Sequence, residues 1–192
     1  PYDMDYPEFW PPREGEEKFR KVLSRLRKEK IFTQVYVNSL SWDTKAESWK
    51  DGGSESVIVQ RDGSDLALAY NSHSDRWLGT MCGKGLAFRK RIRELVKKLH
   101  DSGLPGVYLD MIGCGWGYNC YSSAHAHDPG GGCYQAEGYR ELLQAVHADN
   151  PGISLCTESC VEYAMDLFDS SIILASSYER MGGSFDVVPA FS

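Results

Sequence analysis

Hydrophobic periodicity constrains the fold most strongly between residues 86 and 159. The segment "LAFRKRIRELVKKLHDSG" has apolar residues at helical spacing and ends at a glycine, and "YQAEGYRELLQAVHADNPG" repeats this pattern with an Asn-Pro-Gly end. Each is followed by a short apolar run, "GVYLDMIG" and "ISLCTES". Helices that alternate with strands hydrophobic on both faces form parallel βαβ units, so we expect a doubly wound sheet or a (β/α) barrel.

The same alternation extends towards both ends of the chain. "EGEEKFRKVLSRLRKEK" predicts a helix with acids in its first turn and bases in its last, and "IFTQVYVN" predicts a mostly buried strand. "VEYAMDLF" and "SSIILASS" repeat the pattern more weakly. We expect about four strands in a single α/β domain over residues 1–192. A closed eight-stranded barrel usually has about 250 residues, so this chain would be part of one.

Residues 39–82 interrupt the alternation because they have no helical period. They contain "SWDTKAESW", a Gly-Gly pair, and "SVIVQRDGSDLALAY", which predicts a hairpin turning at Asp62 and Gly63. We interpret this segment as an excursion between a strand and its helix.

Charge and hydropathy exclude some partners. The chain of 192 residues has a formal net charge of −6, and its densest basic run, "RKRIRELVKK", has the spacing of a solvated helix face, which argues against a nucleic-acid partner. No apolar stretch approaches the ~20 residues of a bilayer span, so we expect no membrane segment. The start, "PYDMDYPEFWPP", lacks an initiator Met and the apolar core of a signal peptide, so we expect a processed chain or part of a longer one.

Polar residues occur where the predicted strands end, which is where ligands bind in both architectures. Asn38 ends "VYVN", Asp110 ends "VYLD" and Glu158 ends "SLCTE", while the opening "YDMDYP" carries Asp3 and Asp5. An ionised acid at the end of a buried strand is costly to desolvate unless it is paired or functional. The alternative is that each acid caps the following helix or pairs with an arginine.

Asp110 and Glu158 have the spacing expected of a glycosidase acid pair. Neighbouring strands lie ~4.8 Å apart, so the two carboxyl groups could face each other at the ~5–5.5 Å found in retaining glycoside hydrolases. Asp110 would be the nucleophile, and Glu158 would be the acid and then the base, because the longer side chain reaches the leaving group and the Asp charge raises the Glu pKa. We expect neither a cofactor nor a metal in this mechanism.

Sugars bind by stacking on aromatic rings and by hydrogen bonding to carboxylates, amides and imidazoles. The candidate substrate-binding residues are therefore the polar and aromatic side chains near the strand ends, with an oligosaccharide or polysaccharide as the partner. They are Asp3, Asp5, Tyr36, Asn38, Trp42, Trp116, His125 and His127. Each aromatic residue taken alone can equally be a packing residue.

Two other functions fit parts of this pattern. A carbohydrate-binding barrel without catalysis would keep the aromatic residues, and a zinc-dependent hydrolase would use His125 and His127 together with nearby cysteines. The six cysteines leave buried thiols, loop disulfides and a metal site open. A disulfide between Cys120 and Cys133 would close a loop of ~14 residues and would indicate an exported protein, extracellular or periplasmic.

With "YLDMIG", "CYSSAHAHDPGGG", "GYRELLQAVH" and "LCTES", the chain resembles a little-characterised group of bacterial glycoside-hydrolase-like barrel domains. That group is distantly similar to endo-α-N-acetylgalactosaminidases and to the α-amylase superfamily, and the resemblance runs from about Tyr2 to Asp169. It implies a parallel (β/α)8 TIM-type barrel, with this chain holding about strands 2 to 6. It also implies α-linked substrates, a nucleophile at Asp110 and an acid/base at Glu158. The remaining strands would come from a missing segment or another chain.

Overall fold

The computed structural model describes residues 5–69, 75–114, 117–159 and 161–172, which form an α/β fold. In chain order its helices and strands are α1 (Glu16–Lys28), β1 (Gln34–Asn38), β2 (Ser41–Asp43), α2 (Gly53–Ser56), β3 (Ala67–Ala69), β4 (Trp77–Thr80), α3 (Leu86–Asp101), β5 (Gly106–Asp110), α4 (Tyr134–Asp149), β6 (Ser154–Glu158) and β7 (Ser170–Ile172). Short 3-10 turns cover Glu47–Asp51, Ile112–Cys114 and Glu162–Leu167.

A parallel sheet organises the fold. Its strands lie in the spatial order β1-β5-β6-β7, and all three neighbouring pairs are parallel. Helix α3 lies in the connection from β1 to β5, and α4 connects β5 to β6. The predicted parallel α/β arrangement is therefore confirmed, and the weaker segment "VEYAMDLF" is a 3-10 turn that leads into β7. None of the helices within the described ranges is long and apolar enough to cross a bilayer.

One face of the parallel sheet builds the core. Side chains alternate across a strand, and four apolar positions on the face towards the helices are 0% exposed. These positions are Val37, Val107, Leu109 and Leu155, which pack in one cluster with Phe88, Ile92, Leu142 and Leu143 of α3 and α4. Burying such side chains is worth about 1.5–3 kcal/mol each, so this face supplies much of the stability of the fold.

The opposite face of the parallel sheet is polar. The alternate positions on β1, β5 and β6 carry Tyr36, Asn38, Tyr108, Asp110 and Glu158. The expectation that the strands are hydrophobic on both faces is therefore wrong for this face. Its side chains converge at the carboxyl edge of the sheet instead of packing under a helix.

The segment between β1 and α3 contains a three-stranded antiparallel sheet in the order β2-β4-β3. The predicted turn at Asp62 and Gly63 is present, since the Gly63 N–H donates to the Gln60 carbonyl at 3.0 Å and Gly63 has a φ of 87°. The strand after this turn, β3, pairs with β4 and so joins the small sheet. Because β2 begins three residues after β1 ends, the small sheet stands beside the carboxyl edge of the large one.

Candidate active site

The carboxyl edge of the parallel sheet brings the two predicted acids together. In the register between β1 and β5, Asn38 lies opposite Asp110, and between β5 and β6, Leu109 lies opposite Thr157. Asp110 and Glu158 each follow that last pair by one residue, so the two acids end adjacent strands at the same height. Asp110 therefore has an amide on one side and a carboxyl group on the other.

The backbone turns sharply directly after each acid. Met111 has a φ of 76° and Ser159 a φ of 57°, which is the left-handed region that non-glycine residues rarely occupy. Such conformations cost about 1–3 kcal/mol each and are concentrated at functional sites. A left-handed residue after each acid turns the backbone out of the sheet directly after β5 and after β6. The two carboxyl groups therefore lie at the open edge of the sheet.

Two tyrosine hydroxyls hold the Asp110 carboxylate. The Tyr36 hydroxyl donates to Oδ2 at 2.8 Å, and the Tyr108 hydroxyl donates to Oδ1 at 2.9 Å. Burial, together with the hydrogen bonds and negative charge of Asp110, raises the pKa of both tyrosines, so both remain proton donors. Asp110 is only 9% exposed, and these two hydrogen bonds fix the direction in which its carboxylate faces.

The surroundings of Glu158 favour the protonated form of its carboxyl group. Burial raises the pKa of its carboxyl group, and the neighbouring Asp110 charge raises it further. The Cys114 thiol donates to Oε2 at 3.1 Å and opposes this rise. Burial and the Glu158 charge raise the pKa of the thiol itself to about 12, so it stays a donor at neutral pH. The two acids thus lie in different environments, the condition that separates an acid from a nucleophile.

A glycine allows the turn after β5 to approach β6. A Cβ atom on Gly113 would lie 2.1 Å from the Glu158 carbonyl oxygen and 2.6 Å from Cγ2 of Thr157. The Gly113 N–H donates to the Thr157 hydroxyl at 2.9 Å, and that hydroxyl donates to the Leu109 carbonyl at 2.8 Å. This chain of contacts fixes the segment that carries Cys114 against the strand that carries Glu158.

A cleft of about 330 Å³ opens beside Asp110 and extends to the small antiparallel sheet. Its polar lining residues are Tyr6, Tyr36, Asn38, Ser41, Thr80, Asp110 and Tyr118. Its apolar wall includes Leu68 and Leu78 from β3 and β4. A concave site with an apolar wall, aromatic rings and several hydroxyl groups can bind a ligand that is polar at its edges and apolar on one face.

A larger cavity, of about 490 Å³, lies at the opposite edge of the sheet. It is lined by residues from the end of α1 and from the loops that enter β1, β5 and β6, among them Lys30, Phe32 and His100. None of its lining residues is acidic. In parallel α/β folds the ligand-binding edge is the carboxyl one, so we assign the chemistry to the smaller cleft.

Tyr36 and Asn38 line the cleft with Asp110, as predicted, but the Asn38 side chain also forms hydrogen bonds to the backbone. The Asn38 Oδ1 atom accepts the N–H groups of Leu40 and Ser41 at 3.1 and 2.8 Å, which shapes the turn from β1 into β2. Its Nδ2 atom lies 3.4 Å from the Tyr36 hydroxyl and donates to it. Asn38 therefore orients both the cleft wall and one of the two tyrosines on Asp110.

Asp5 and Trp42 have structural contacts in place of the predicted sugar contacts. The Asp5 carboxylate pairs with Arg76 at 2.8 Å, and the same guanidinium pairs with buried Asp43 at 2.8 Å. Trp42 is 1% exposed, packs against Phe88 in the core and donates from Nε1 to the Ser48 hydroxyl at 3.1 Å. The prediction of Trp42 as a sugar platform is wrong, because its ring has no surface to offer.

His125 and His127 do not line the cleft. They lie with Cys82 and Cys120 in a group that we call the Cys–His cluster, whose ligand atoms all lie within 4.8 Å of one another. The Cys120–Cys133 disulfide, one of the alternatives that the sequence left open, is not formed, since Cys133 is exposed and its thiol donates to Glu137 at 2.9 Å. The described cysteines are free thiols; they are Cys82, Cys114, Cys120, Cys133 and Cys156.

Two predicted residues, Asp3 and Trp116, lie outside the described residues. Several residues around the acid pair and in the Cys–His cluster were not predicted from the sequence, among them Tyr108, Cys114 and Cys82. Tyr108 lies two positions before Asp110, and strand alternation places both side chains on one face, so this signal was present. Cys82 and Cys114 had no comparable signal, because their contacts join segments that are distant in the sequence.

Two curated relatives match nearly the whole chain. A Bacteroides thetaiotaomicron protein named "Putative glycoside hydrolase" is 29% identical over 97% of this chain, and a Monosiga brevicollis protein named "Putative glycoside hydrolase 22789" is 27% identical over 99% of it. The chain spans only 28% and 16% of the length of these two proteins.

Solved structures share the fold at low sequence identity. Alpha-N-acetylgalactosaminidase NagBb from Bifidobacterium bifidum superposes with a TM-score of 0.71 and 17% identity. The match covers 87% of this chain and 25% of the NagBb chain. TtGalA, an alpha-galactosidase from Thermus thermophilus, superposes with a TM-score of 0.59 and 14% identity. The match covers 83% of this chain and 31% of the TtGalA chain. A family model described as "Domain of unknown function (DUF6259)" matches residues 1–192, and the chain belongs to that family.

Proposed function

We propose that this chain is the catalytic part of a retaining glycoside hydrolase, in which Asp110 is the nucleophile and Glu158 is the acid/base. The observation that carries this proposal is the acid pair itself. Two carboxyl groups end adjacent parallel strands at the same height, one held by two hydroxyl donors and the other with a raised pKa. The names of the curated relatives support the same class of reaction.

The proposed reaction has two steps. Asp110 attacks the anomeric carbon while Glu158 gives its proton to the leaving oxygen, so that a glycosyl ester forms on Asp110 and the aglycone departs. Esterification removes the Asp110 charge, which lowers the pKa of Glu158 and suits it to act as a base. Glu158 then takes a proton from water, the water attacks the anomeric carbon, and Asp110 leaves as a carboxylate.

The substrate that we propose is an α-linked glycoside. The cleft lies near the lower end of the usual range for ligand sites, about 300–1,000 Å³, which suits a small sugar unit. Its hydroxyl groups and tyrosines provide hydrogen bonds and ring contacts for a saccharide. Two structures with the same fold are named as an alpha-N-acetylgalactosaminidase and an alpha-galactosidase, which supports an α-linkage.

We also propose that the parallel sheet is a segment of a (β/α)8 barrel. Within the described residues, β1 pairs in this sheet only with β5, and β7 only with β6, so both outer strands have a free edge. Further strands, from the same longer protein or another chain, would pair with these edges. The polar face with Asp110 and Glu158 would then face the barrel interior, and the sheet would supply its third to sixth strands.

The stereochemistry of the first product tests this mechanism. We would incubate the purified protein with aryl α- and β-glycosides, including α-galactosides and α-N-acetylgalactosaminides, and follow the anomeric protons by NMR. The expected first product from an α-glycoside is the α-anomer, and the Asp110→Asn protein should release none. A β-anomer as first product would contradict retention, and binding without any hydrolysis would favour a non-catalytic carbohydrate-binding barrel.

A further inference from the structure

We propose that Cys82, Cys120, His125 and His127 bind one zinc ion in a closed, structural site. The four side chains come from two segments, with Cys82 immediately before α3 and the other three in the loop between β5 and α4. From the sequence we expected no metal in the mechanism, and we considered zinc only as an alternative, in a hydrolytic centre of His125, His127 and nearby cysteines. The structure supplies two thiol ligands for them, and none of the four residues lines the cleft beside Asp110.

The distances between the ligand atoms fit a tetrahedral ion. Zinc bonds of about 2.3 Å to sulfur and about 2.0–2.1 Å to nitrogen, at tetrahedral angles, place neighbouring sulfur and nitrogen atoms about 3.5 Å apart. Cys82 Sγ lies 3.4 Å from Nε2 of His127, and Cys120 Sγ lies 3.3 Å from Nδ1 of His125. One such contact is an ordinary hydrogen bond. Two of them within a 4.8 Å group place four ligand atoms around one point.

Each imidazole is oriented by a contact of its other nitrogen. Nε2 of His125 lies 2.9 Å from the Glu55 carbonyl, and Nδ1 of His127 lies 2.8 Å from the Asp128 carbonyl. A carbonyl oxygen only accepts, so these two nitrogens carry protons, and in the neutral imidazole the nitrogens facing the sulfurs then have the lone pairs that a metal needs. Histidine ligands of metals almost always have this second contact. The His127 ring is also stacked on Tyr134, with 3.7 Å between centroids and 8° between planes.

Both sulfur ligands are fully buried, and the ligand set leaves no position for water. Cys82 and Cys120 are 0% exposed, which suits thiolates held by a metal. Two sulfur and two nitrogen ligands complete the tetrahedral shell of a structural zinc site, whereas catalytic sites keep one position open. The proposed ion therefore does not activate water, and its role is to join two parts of the fold.

Each of the two segments that the ion would join is close in sequence to a cleft residue, Thr80 or Tyr118. Cys82 follows β4 of the small sheet, and its N–H donates to the Ser56 carbonyl at 2.8 Å. Cys120 forms a bridge with Gly130 that closes the histidine loop, and this loop begins next to Tyr118, a cleft residue. The ion would fix this loop to the small sheet and so hold one wall of the cleft in place.

Metal analysis of the purified, reduced protein tests the site directly. We expect close to one zinc per chain by elemental analysis, and replacement with cobalt should give the visible bands of a tetrahedral ion together with thiolate charge transfer in the near ultraviolet. Chelation should expose two additional thiols to a thiol reagent and lower the thermal midpoint. These measurements on the unaltered protein do not depend on whether a ligand variant folds.

Single substitutions assign the ligands. Cys120→Ser and His127→Asn should each lose most of the bound zinc and most of the cobalt charge-transfer intensity. Cys133→Ser is the matched control, because it removes an exposed thiol of the same loop that contacts only Glu137 among the described contacts, and it should keep one zinc. Unaltered protein that binds neither zinc nor cobalt, or that carries a Cys82–Cys120 disulfide when isolated without reductant, would overturn the proposal.

Discussion

The acid pair and the Cys–His cluster are both groups of buried or partly buried polar side chains, but their surroundings differ. Asp110 lines an open cleft and Glu158 ends the neighbouring strand, with left-handed backbone after each residue and a raised pKa on Glu158. In the Cys–His cluster both thiols are buried, and each imidazole is oriented by a carbonyl. The open and strained region is suited to chemistry, whereas the closed and satisfied region is suited to holding loops.

If the two regions have separate tasks, removing the nucleophile should abolish turnover and leave the metal in place. Asp110→Asn should lower kcat by roughly 10⁴-fold or more, because the members of such a catalytic group act as a unit. Its zinc content should equal that of the unaltered protein. Asp166→Asn is a matched control, since Asp166 is exposed and pairs with Arg140 away from the cleft. Activity of Asp110→Asn within tenfold of the unaltered protein would contradict the assignment.

The tyrosine hydroxyls that donate to Asp110 should affect the reaction rate, unlike the hydroxyl of a tyrosine elsewhere in the fold. Tyr36→Phe and Tyr108→Phe should each lower kcat/KM by about 10- to 100-fold, because a hydrogen bond to a charged group is worth about 1.5–3 kcal/mol. Tyr121→Phe, whose ring lies against Gly130 in the histidine loop, provides the comparison and should keep its rate. Unchanged kinetics in both cleft variants would show that these hydroxyls only pack.

Close backbone packing behind the acid pair should limit substitution there. Gly113→Ala should lower the free energy of unfolding by about 1–3 kcal/mol, because the added methyl group overlaps the Glu158 carbonyl and Thr157. Gly131→Ala in the histidine loop has no heavy atom within 4 Å of its Cβ position, so its unfolding energy should change by less than about 0.5 kcal/mol. Denaturant unfolding of both variants measures the difference, and equal stabilities would contradict the described contact.

The smallest expected effect is a change in pH dependence. Cys114→Ala removes a thiol that donates to Glu158 and holds the pKa of that carboxyl group down. The pKa of Glu158 should therefore rise, and the general acid should keep its proton to higher pH. The basic limb of the profile of kcat/KM against pH should move to higher pH in Cys114→Ala, whereas Cys133→Ala should leave it in place. A shift of this limb to lower pH would contradict the role of Glu158 as the proton donor.

Local patterns were sufficient for the strands and helices of the large sheet. Helix α3, strand β5, helix α4 and strand β6 follow directly from hydrophobic period, capping and breakers. The small sheet was harder, because β2 ends at Asp43 and its partner β4 begins only at Trp77. Only the Asp62–Gly63 hairpin had a local signal there, and its arms do pair through a bridge between Val59 and Asp65, but the sequence did not predict that β2 and β3 pair with β4.

The site shows the same division between local and distant information. Asp110 and Glu158 could be placed because parallel strands bring their carboxyl ends to one edge. Trp42 was misassigned because an aromatic residue near a strand end looks the same in sequence whether it packs or binds. The sequence indicated only the loop residues of the Cys–His cluster. Cys82 lies 45 positions before His127 and contacts it only because of the fold.

Trapping the glycosyl-enzyme tests the central claim most directly. Glu158→Gln should still form the covalent intermediate from an aryl α-glycoside, because an activated leaving group needs no acid, but should hydrolyse it slowly for lack of a base. Using the aryl glycoside that the unaltered protein cleaves fastest, we would measure intact mass and then map the labelled peptide. We expect one glycosyl group, on Asp110. A label on another residue, or hydrolysis at the unaltered rate, would contradict it.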